Sequence, residues 1–352
     1  MNTDRVTLQQ IADRVGVSAQ TVANVLQGRN RRVYRRTFAR AESIRQVANE
    51  LGYRPNVAAR AVSTGRFGAV GLLMGYQAGH STLFGELIQG AHDALEARRL
   101  HLSVNFVSDR RLSSDVELPK LLGEAMIDGL LLNYTHDEPQ RMAELIDHFR
   151  IPSVWLNSKR PANCIYIDDA GAAADATARL LSLGHRRVSF LDSTRVSAFK
   201  TGRPHYSHDD RRLGYERVMR AAGLQPVVHT PSGWWNQHCF PRARDFLAAA
   251  DRPTAVVCYS GMEASILVTG AAMLGLRPGP DLSLVCFETH QSPLGMPVDT
   301  WILPNRDLGG AAVQLLMEIV EDPSRRLAPR QVAMPHRPGA TLCPPPDQIP
   351  SS

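Results

Sequence analysis

Lysine is missing from the first 66 residues, cysteine is scarce, and no long apolar run occurs anywhere in the 352-residue chain. Each absence excludes something. The five cysteines, Cys164, Cys239, Cys258, Cys286 and Cys343, are odd in number and far apart. A disulfide framework or a zinc finger needs close pairs, so neither is expected. Cys258 and Cys286 stand in apolar runs and read as buried strand residues. Without a stretch of about 18 apolar residues, no transmembrane helix is expected. Residues 1–14 interrupt their apolar positions with Asp4, Arg5, Gln9, Gln10 and Asp13, unlike the core of a secretory signal. This points to the cytoplasm. What remains is an ordinary globular composition, 43% hydrophobic and 21% charged, long enough for two or three domains.

Arginine takes the place of the missing lysine. Residues 1–66 hold twelve Arg against Asp4, Asp13, Glu42 and Glu50, so the chain's net +6 sits wholly in this segment and the remainder is slightly acidic. A basic head on a near-neutral body suits a polyanion bound by the head alone. The same charge can also serve solubility only.

Thr7-Leu8-Gln9-Gln10 has the form of a capping box, in which a hydroxyl and an amide each satisfy a helix-end N–H. Leu8, Ile11, Ala12 and Val15 follow as one apolar stripe, and Gly16 supplies the left-handed residue that ends a helix most easily. Ser18 can cap a second helix that buries Val22, Val25 and Leu26. Two short helices across a glycine turn make a helix-turn-helix, and the small Ala12 lets them approach. A third helix is expected from Thr37, burying Ile44, Val47, Ala48 and Leu51 and stopping at Gly52. Pro55-Asn56 can restart a short fourth helix through Val62, before the linker Ser63-Thr64-Gly65.

The stretch V-T-L-Q-Q-I-A-D-R-V-G-V-S-A-Q-T-V from Val6, with L-G-Y-R-P-N-V-A-A-R-A-V-S-T-G-R from Leu51, resembles the head and hinge of the lac repressor (LacI/GalR) family of bacterial transcriptional regulators. The resemblance implies a role for each matching position. Ala19, Gln20 and Asn24 would read base edges in the major groove, with the Gln20 amide suited to adenine. Thr7, Ser18 and Thr21 would contact phosphates and fix register. Asn56, Ala59 and Val62 fall in the hinge helix that the family inserts into the minor groove as a symmetric pair, Val62 standing where an intercalating leucine is usual. Two features depart from the pattern. Asn24 replaces a common arginine, and residues 29–36 make a loop about four residues longer than usual. Arg31 and Arg32 in this loop can clamp phosphates, or the loop can simply be solvated.

From Phe67 onward short apolar runs (70–74, 102–107, 129–133, 153–156, 188–191, 227–229, 255–259 and 284–287) alternate with helical patterns such as 84–97, 118–126 and 140–148. This alternation predicts an α/β class with parallel sheets and right-handed crossovers. Leu181 to Leu191, Arg211 to Tyr215, Pro253 to Val257, Gly275 to Phe287 and Thr300 to Asn305 resemble the same family's core. The resemblance implies an all-α helix-turn-helix head plus a two-lobed periplasmic-binding-protein-like core. The expected layout is a head over 1–54, hinge helix and linker over 55–66, effector-binding and dimerisation core over 67–342, and a disordered proline-rich tail over 343–352.

The same resemblance assigns the effector to Arg211, Trp235, Glu288 and Ser260, with Asn157, Ser81 and Phe84 on the opposite lobe. Arg211 brings a five-donor fork, and Trp235 an apolar ring face that suits a sugar. Ser260-Gly261 replaces a usual Asn-Asp pair, and Glu288 is one methylene longer than the usual aspartate. Core packing or a surface hydrogen bond is the plainer role for each.

Catalytic readings fare badly. Asp168-Asp169 are adjacent, which as strand residues would send them to opposite faces, and they suit the start of a helix better. His205, His208, Asp209 and Asp210 look like a polar loop lacking a second ligand cluster, so no metal or other cofactor is expected. Neither a phosphate-cradling glycine loop nor a nucleophile elbow occurs. The expectation is a non-enzymatic, ligand-responsive repressor whose partners are operator DNA, a sugar-like effector and a second copy of itself. A solute-binding protein with the same core is the alternative, against which the basic head speaks.

Overall fold

The computed structural model describes residues 6–26, 35–54, 65–75, 81–118, 120, 126–135, 138–194, 204–231, 238–289 and 297–346. Contacts divide the chain into two units, Met1–Phe67 and Gly68–Ser352.

In the first unit α1 (Leu8–Val15) begins at Thr7, whose hydroxyl accepts from the Gln10 N–H at 3.3 Å while Gln10 Oε1 accepts from the Thr7 N–H at 2.8 Å. The capping box is thus formed at both ends. Gly16 closes the helix at φ 71°, where a side chain would be strained. The Thr21 N–H donates to Ser18 Oγ at 3.2 Å at the start of α2 (Ala19–Leu26). The third helix, α3 (Arg35–Glu50), starts two residues before the expected Thr37. Ile11, Ala12, Val22, Val25, Ile44 and Ala48 form the buried core of the three. The expected fourth helix falls outside the described residues.

The second unit opens with β1 (Ala69–Gly75), α4 (Gly85–Glu96), β2 (His101–Val107) and a single turn, α5 (Asp109–Leu112). It continues through β3 (Gly129–Asn133), α6 (Gln140–His148), β4 (Ser153–Leu156) and β5 (Cys164–Ile167). Next come α7 (Asp169–Ser182), β6 (Val188–Leu191), α8 (Tyr206–Ala221), β7 (Val227–His229), α9 (Cys239–Ala248) and β8 (Ala255–Cys258). The last elements are α10 (Gly261–Ala272), β9 (Ser283–Glu288), β10 (Asp299–Ile302), α11 (Asn305–Glu321), β11 (Arg330–Val332) and β12 (His336–Arg337).

Two sheets result. One runs β11-β5-β4-β3-β1-β2 and is parallel throughout; the other runs β12-β10-β9-β8-β6-β7, with only β12 antiparallel. Both are covered by helices, which is why central strands such as Gly129–Asn133 and Ala255–Cys258 are buried along their whole length and, Asn133 apart, carry no polar side chain but the Cys258 thiol. The chain passes to the second sheet after β5, returns after β10 to add α11 and β11, and crosses again before β12. The two-lobed expectation is met. Sequence periodicity missed β5, β10, β11 and β12. The expected helix over 118–126 lies for the most part outside the described residues.

One expectation is corrected. Composition predicted disorder from Cys343, yet the Cys343 N–H donates to Ser283 Oγ at 3.0 Å, its carbonyl accepts from His185 Nε2 at 2.8 Å, and Pro345 is buried. Backbone hydrogen bonds to buried side chains hold Cys343, something composition cannot register, and residues 347–352 of the expected tail lie outside the described residues.

Candidate functional site

On the head, Val22 and Val25 turn inward while Gln20 stays exposed. Gln20 and Asn24 lie one turn apart on a shared face, and the Gln20 amide donates to Asn24 Oδ1 at 3.1 Å. Ser18 Oγ and Thr21 Oγ1 are 2.9 Å apart. The short Ala19 side chain, half-buried beside them, leaves the amide and hydroxyl groups prominent. Arg31, Arg32, Asn56, Ala59 and Val62 lie outside the described residues.

In the second unit a cavity of about 580 Å³ opens between the two sheets at the carboxyl ends of their strands. Open α/β sheets place their ligands there, because loops and helix N-termini converge at that edge. Phe84, Asn157, Arg211, Ser260 and Glu288 all line it, as the sequence led one to expect. Ser81 does not. Its hydroxyl accepts from the Gly75 N–H at 2.9 Å and donates to the Asn133 carbonyl, so it ties the end of β1 to the end of β3 instead of facing the cavity. Trp235 lies outside the described residues.

Arg211 is the best-anchored group in the wall. It is 5% exposed, its Nε donates to Asp169 Oδ1 at 2.7 Å, and its Nη1 donates to the Tyr259 carbonyl at 2.6 Å. The guanidinium lies 4.7 Å from the ring centres of both Tyr259 and Phe287. Burial works against the charge, and Asp169 together with Tyr259 outweighs it, raising Arg211 above its ordinary value. Burial likewise pushes the Asp169 carboxyl up, against the pull of Arg211. Asp169 is the first residue of α7 and Asp168 its cap, so the adjacent acids begin a helix, as expected.

Sequence reasoning missed the surroundings of this pair. His205 and His208 are not in a polar loop: His205 caps α8, and His208 lies in its first turn. The run of polar residues hid a helix whose burial is one-sided. His208 Nδ1 donates to Asp192 Oδ2 at 2.7 Å, and its ring stacks on Tyr259 at 4.0 Å and 9°. Tyr259 Oη and Ser207 Oγ are 2.8 Å apart, and burial pushes the Tyr259 phenol up to about 12. Asn305, 2% exposed, also faces the cavity.

Ser260 and Gly261 acquire clear local reasons. Ser260 caps α10 by accepting from the Met262 N–H at 3.2 Å, and it donates to the buried Glu263, whose carboxyl burial pushes up. A Cβ on Gly261 would sit 3.1 Å from Glu288 Oε2. The missing side chain at 261 therefore makes room for the longer acid at 288.

Among the described residues one group, His92, Asp93 and Glu96, could hold a metal. His92 already faces Glu96 at 3.7 Å and Asp93 pairs with Arg306 at 2.5 Å, as on any charged helix surface. No described helix is long and apolar enough to cross a membrane.

Comparison with known proteins agrees with this anatomy. Residues 7–56 match the model of bacterial regulatory proteins of the lacI family, and residues 177–341 match a periplasmic binding protein-like domain. The chain is 28% identical to the HTH-type transcriptional regulator AglR of Rhizobium meliloti over 80% of its length and 78% of that protein's. It is 26% identical to the HTH-type transcriptional repressor PurR of Pectobacterium carotovorum over 89% of each. Among solved structures, the lac repressor dimer bound to operator and the anti-inducer ONPF aligns over 97% of this chain and 100% of that one, with TM-score 0.73 and 21% identity. A helix-turn-helix head that matches the lacI family model and a core that matches a periplasmic binding protein-like domain, joined in relatives aligned over most of their length, give this chain the domain arrangement of the lacI family of bacterial regulatory proteins.

Proposed function

We propose that this chain is a cytoplasmic repressor that binds operator DNA as a homodimer and is controlled by a sugar-like metabolite seated between the lobes of its core. The observation that carries the reading is the presence, on one chain, of an exposed Gln20–Asn24 edge on a basic helix-turn-helix and a built cavity containing Arg211 and Glu288. It acts by binding, not by catalysis. In this reading Ala19, Gln20 and Asn24 meet base edges, Thr7, Ser18 and Thr21 meet phosphates, and Arg31 with Arg32 adds sequence-independent affinity. Asn56, Ala59 and Val62 belong to a hinge helix that forms in the minor groove.

Two further features support the dimer and the control. Phe106 is 60% exposed and Val104 43% on the edge strand β2, apolar area that a second copy can cover. Arg211, Phe287 and Glu288 line the cavity from one sheet and Phe84 and Asn157 from the other, so a ligand touching both favours one lobe angle over another. The test is a gel shift with DNA from the chain's own upstream region, repeated with any metabolite that raises the melting temperature. Specific binding that the metabolite alters supports the reading; indifference to DNA sequence would overturn it.

A further inference from the structure

His208 is held by one nitrogen and one ring face. Its Nδ1 donates to Asp192 Oδ2 at 2.7 Å, and the ring stacks on Tyr259 with centres 4.0 Å apart. Asp192 is itself fixed, because its Oδ1 accepts from the Thr194 N–H at 3.1 Å and from the Thr194 hydroxyl at 2.9 Å. A carboxylate set in this way keeps the proton of a neutral imidazole on Nδ1 and leaves the lone pair on Nε2. Neither the stack nor the Asp192 bond uses Nε2. That nitrogen makes no hydrogen bond among the described residues, and it is not sealed from solvent. His208 belongs to the cavity wall, so its free acceptor opens into the cavity.

Arg211 follows one turn later on α8, and its guanidinium lies 4.7 Å from the centre of the same Tyr259 ring. Its Nε and Nη1 are engaged by Asp169 and the Tyr259 carbonyl, whereas Nη2 has no bond among the described residues and is likewise open. A donor and an acceptor thus stand side by side on one helix face. Other elements bring further charge to these groups. Glu263 of α10 accepts from the Ser193 hydroxyl at 2.7 Å, next to Asp192, and Asp169 of α7 backs Arg211. His205 and Glu288 stand elsewhere in the wall.

Resting on the reading of this cavity as the effector site, we propose that His208 is a specificity-determining acceptor, positioned by Asp192, and that it makes effector binding sensitive to acid. An effector hydroxyl accepts from Arg211 Nη2 and donates to His208 Nε2. A carbonyl or ether oxygen in that place is disfavoured, since two lone pairs would meet. Protonation of the ring turns Nε2 into a second donor and leaves the hydroxyl hydrogen without an acceptor. Binding therefore selects the neutral ring, releases a proton wherever the free ring carries one, and weakens as pH falls through the imidazole range.

The full-length protein is screened by melting shift with ribose, glucose, cellobiose and inositol, none of which titrates near neutrality. Calorimetry at several pH values then gives the affinity of the strongest binder for wild type, His208→Gln and Asp192→Asn. Wild-type affinity should fall about threefold or more between about pH 7.5 and 5.5. His208→Gln keeps an acceptor that does not titrate, so its affinity should stay nearly level across the same range. Asp192→Asn turns an amide N–H toward Nδ1 and moves the ring proton to Nε2. Near neutral pH it should bind about tenfold more weakly with the ring still in place. A wild-type affinity that is level or rises with acid overturns this proposal alone, as does a His208→Gln profile that falls like wild type. An Asp192→Asn protein that folds and binds within twofold of wild type overturns it too; should that variant not fold, the two pH profiles decide. A panel that leaves wild-type melting unmoved overturns the sugar-like-effector reading on which the proposal rests.

Discussion

Arg211 and Asp169 meet at 2.7 Å with 5% and 1% of their surfaces exposed, joining the first turn of α7 to the cavity wall. The pair is both structural and functional. Removing one member leaves the other charged and buried, so Arg211→Ala should cost about 3–5 kcal/mol of stability. Replacing both, as Asp169→Asn with Arg211→Met, should recover much of that loss. Urea unfolding of the three variants measures it, and an Arg211→Ala protein as stable as wild type would show that the pair carries little. Poor ligand response in the single variant must be judged against its folded fraction.

At the head, the Gln20–Asn24 bond fixes the edge that Gln20 presents. Asn24→Ala frees that amide, and discrimination at one base pair should fall by about 1–3 kcal/mol. Affinity for random DNA should stay nearly the same. Arg31→Ala with Arg32→Ala should do the opposite, weakening specific and random DNA alike and flattening the salt dependence. Anisotropy titrations at several salt concentrations separate the two patterns; a selective loss on the operator from the arginine pair would assign that loop to base reading.

His185 gives the core a defined pH response. Its Nε2 donates to the Cys343 carbonyl at 2.8 Å and its Nδ1 lies 2.8 Å from Thr254 Oγ1, and burial lowers its pKa below the ordinary 6.5. The unfolded chain then takes up the proton more readily than the folded one. Stability is complete above about pH 6.5 and declines as pH falls below it. Burial lowers His229 too, adding to the same trend. Melting temperature should fall between pH 7.5 and 5.5, and His185→Gln should reduce that fall. An identical fall in the variant would place the effect elsewhere.

The close approach of α4 and α11 rests on glycine. A Cβ on Gly309 would run into the Leu87 carbonyl, and one on Gly90 into the Arg306 carbonyl. Gly309→Ala should therefore force the helices apart and cost about 1–3 kcal/mol, although alanine is the better helix former. Chemical denaturation reads this directly, and a stabilised variant would mean that the helices separate freely.

Local signals carried far in this sequence. The T-x-x-Q box, Gly16 and Ser18 each set a helix end through groups within three residues, so the head could be read nearly residue by residue. The longer strands were legible because burial on both faces leaves them continuously apolar. The cavity was legible in part, through positions matching a known family. Its remaining walls depend on partners far apart in sequence: Asp169 lies 42 residues from Arg211, and Asp192 lies 16 from His208. Asn305 was quoted only as the end of a core motif, because its burial in the cavity wall exists only once the lobes are folded. The anchoring of Cys343 by His185, 158 residues away, escaped for the same reason.

The claim that this chain recognises a DNA sequence as a symmetric pair is tested most directly by selecting binders from a random double-stranded library with the full-length protein. The account predicts enrichment of one motif made of two inverted half-sites, bound far more tightly than scrambled DNA and lost more steeply as salt rises. Failure to enrich any motif, or a single asymmetric half-site bound by one copy of the chain, would contradict it.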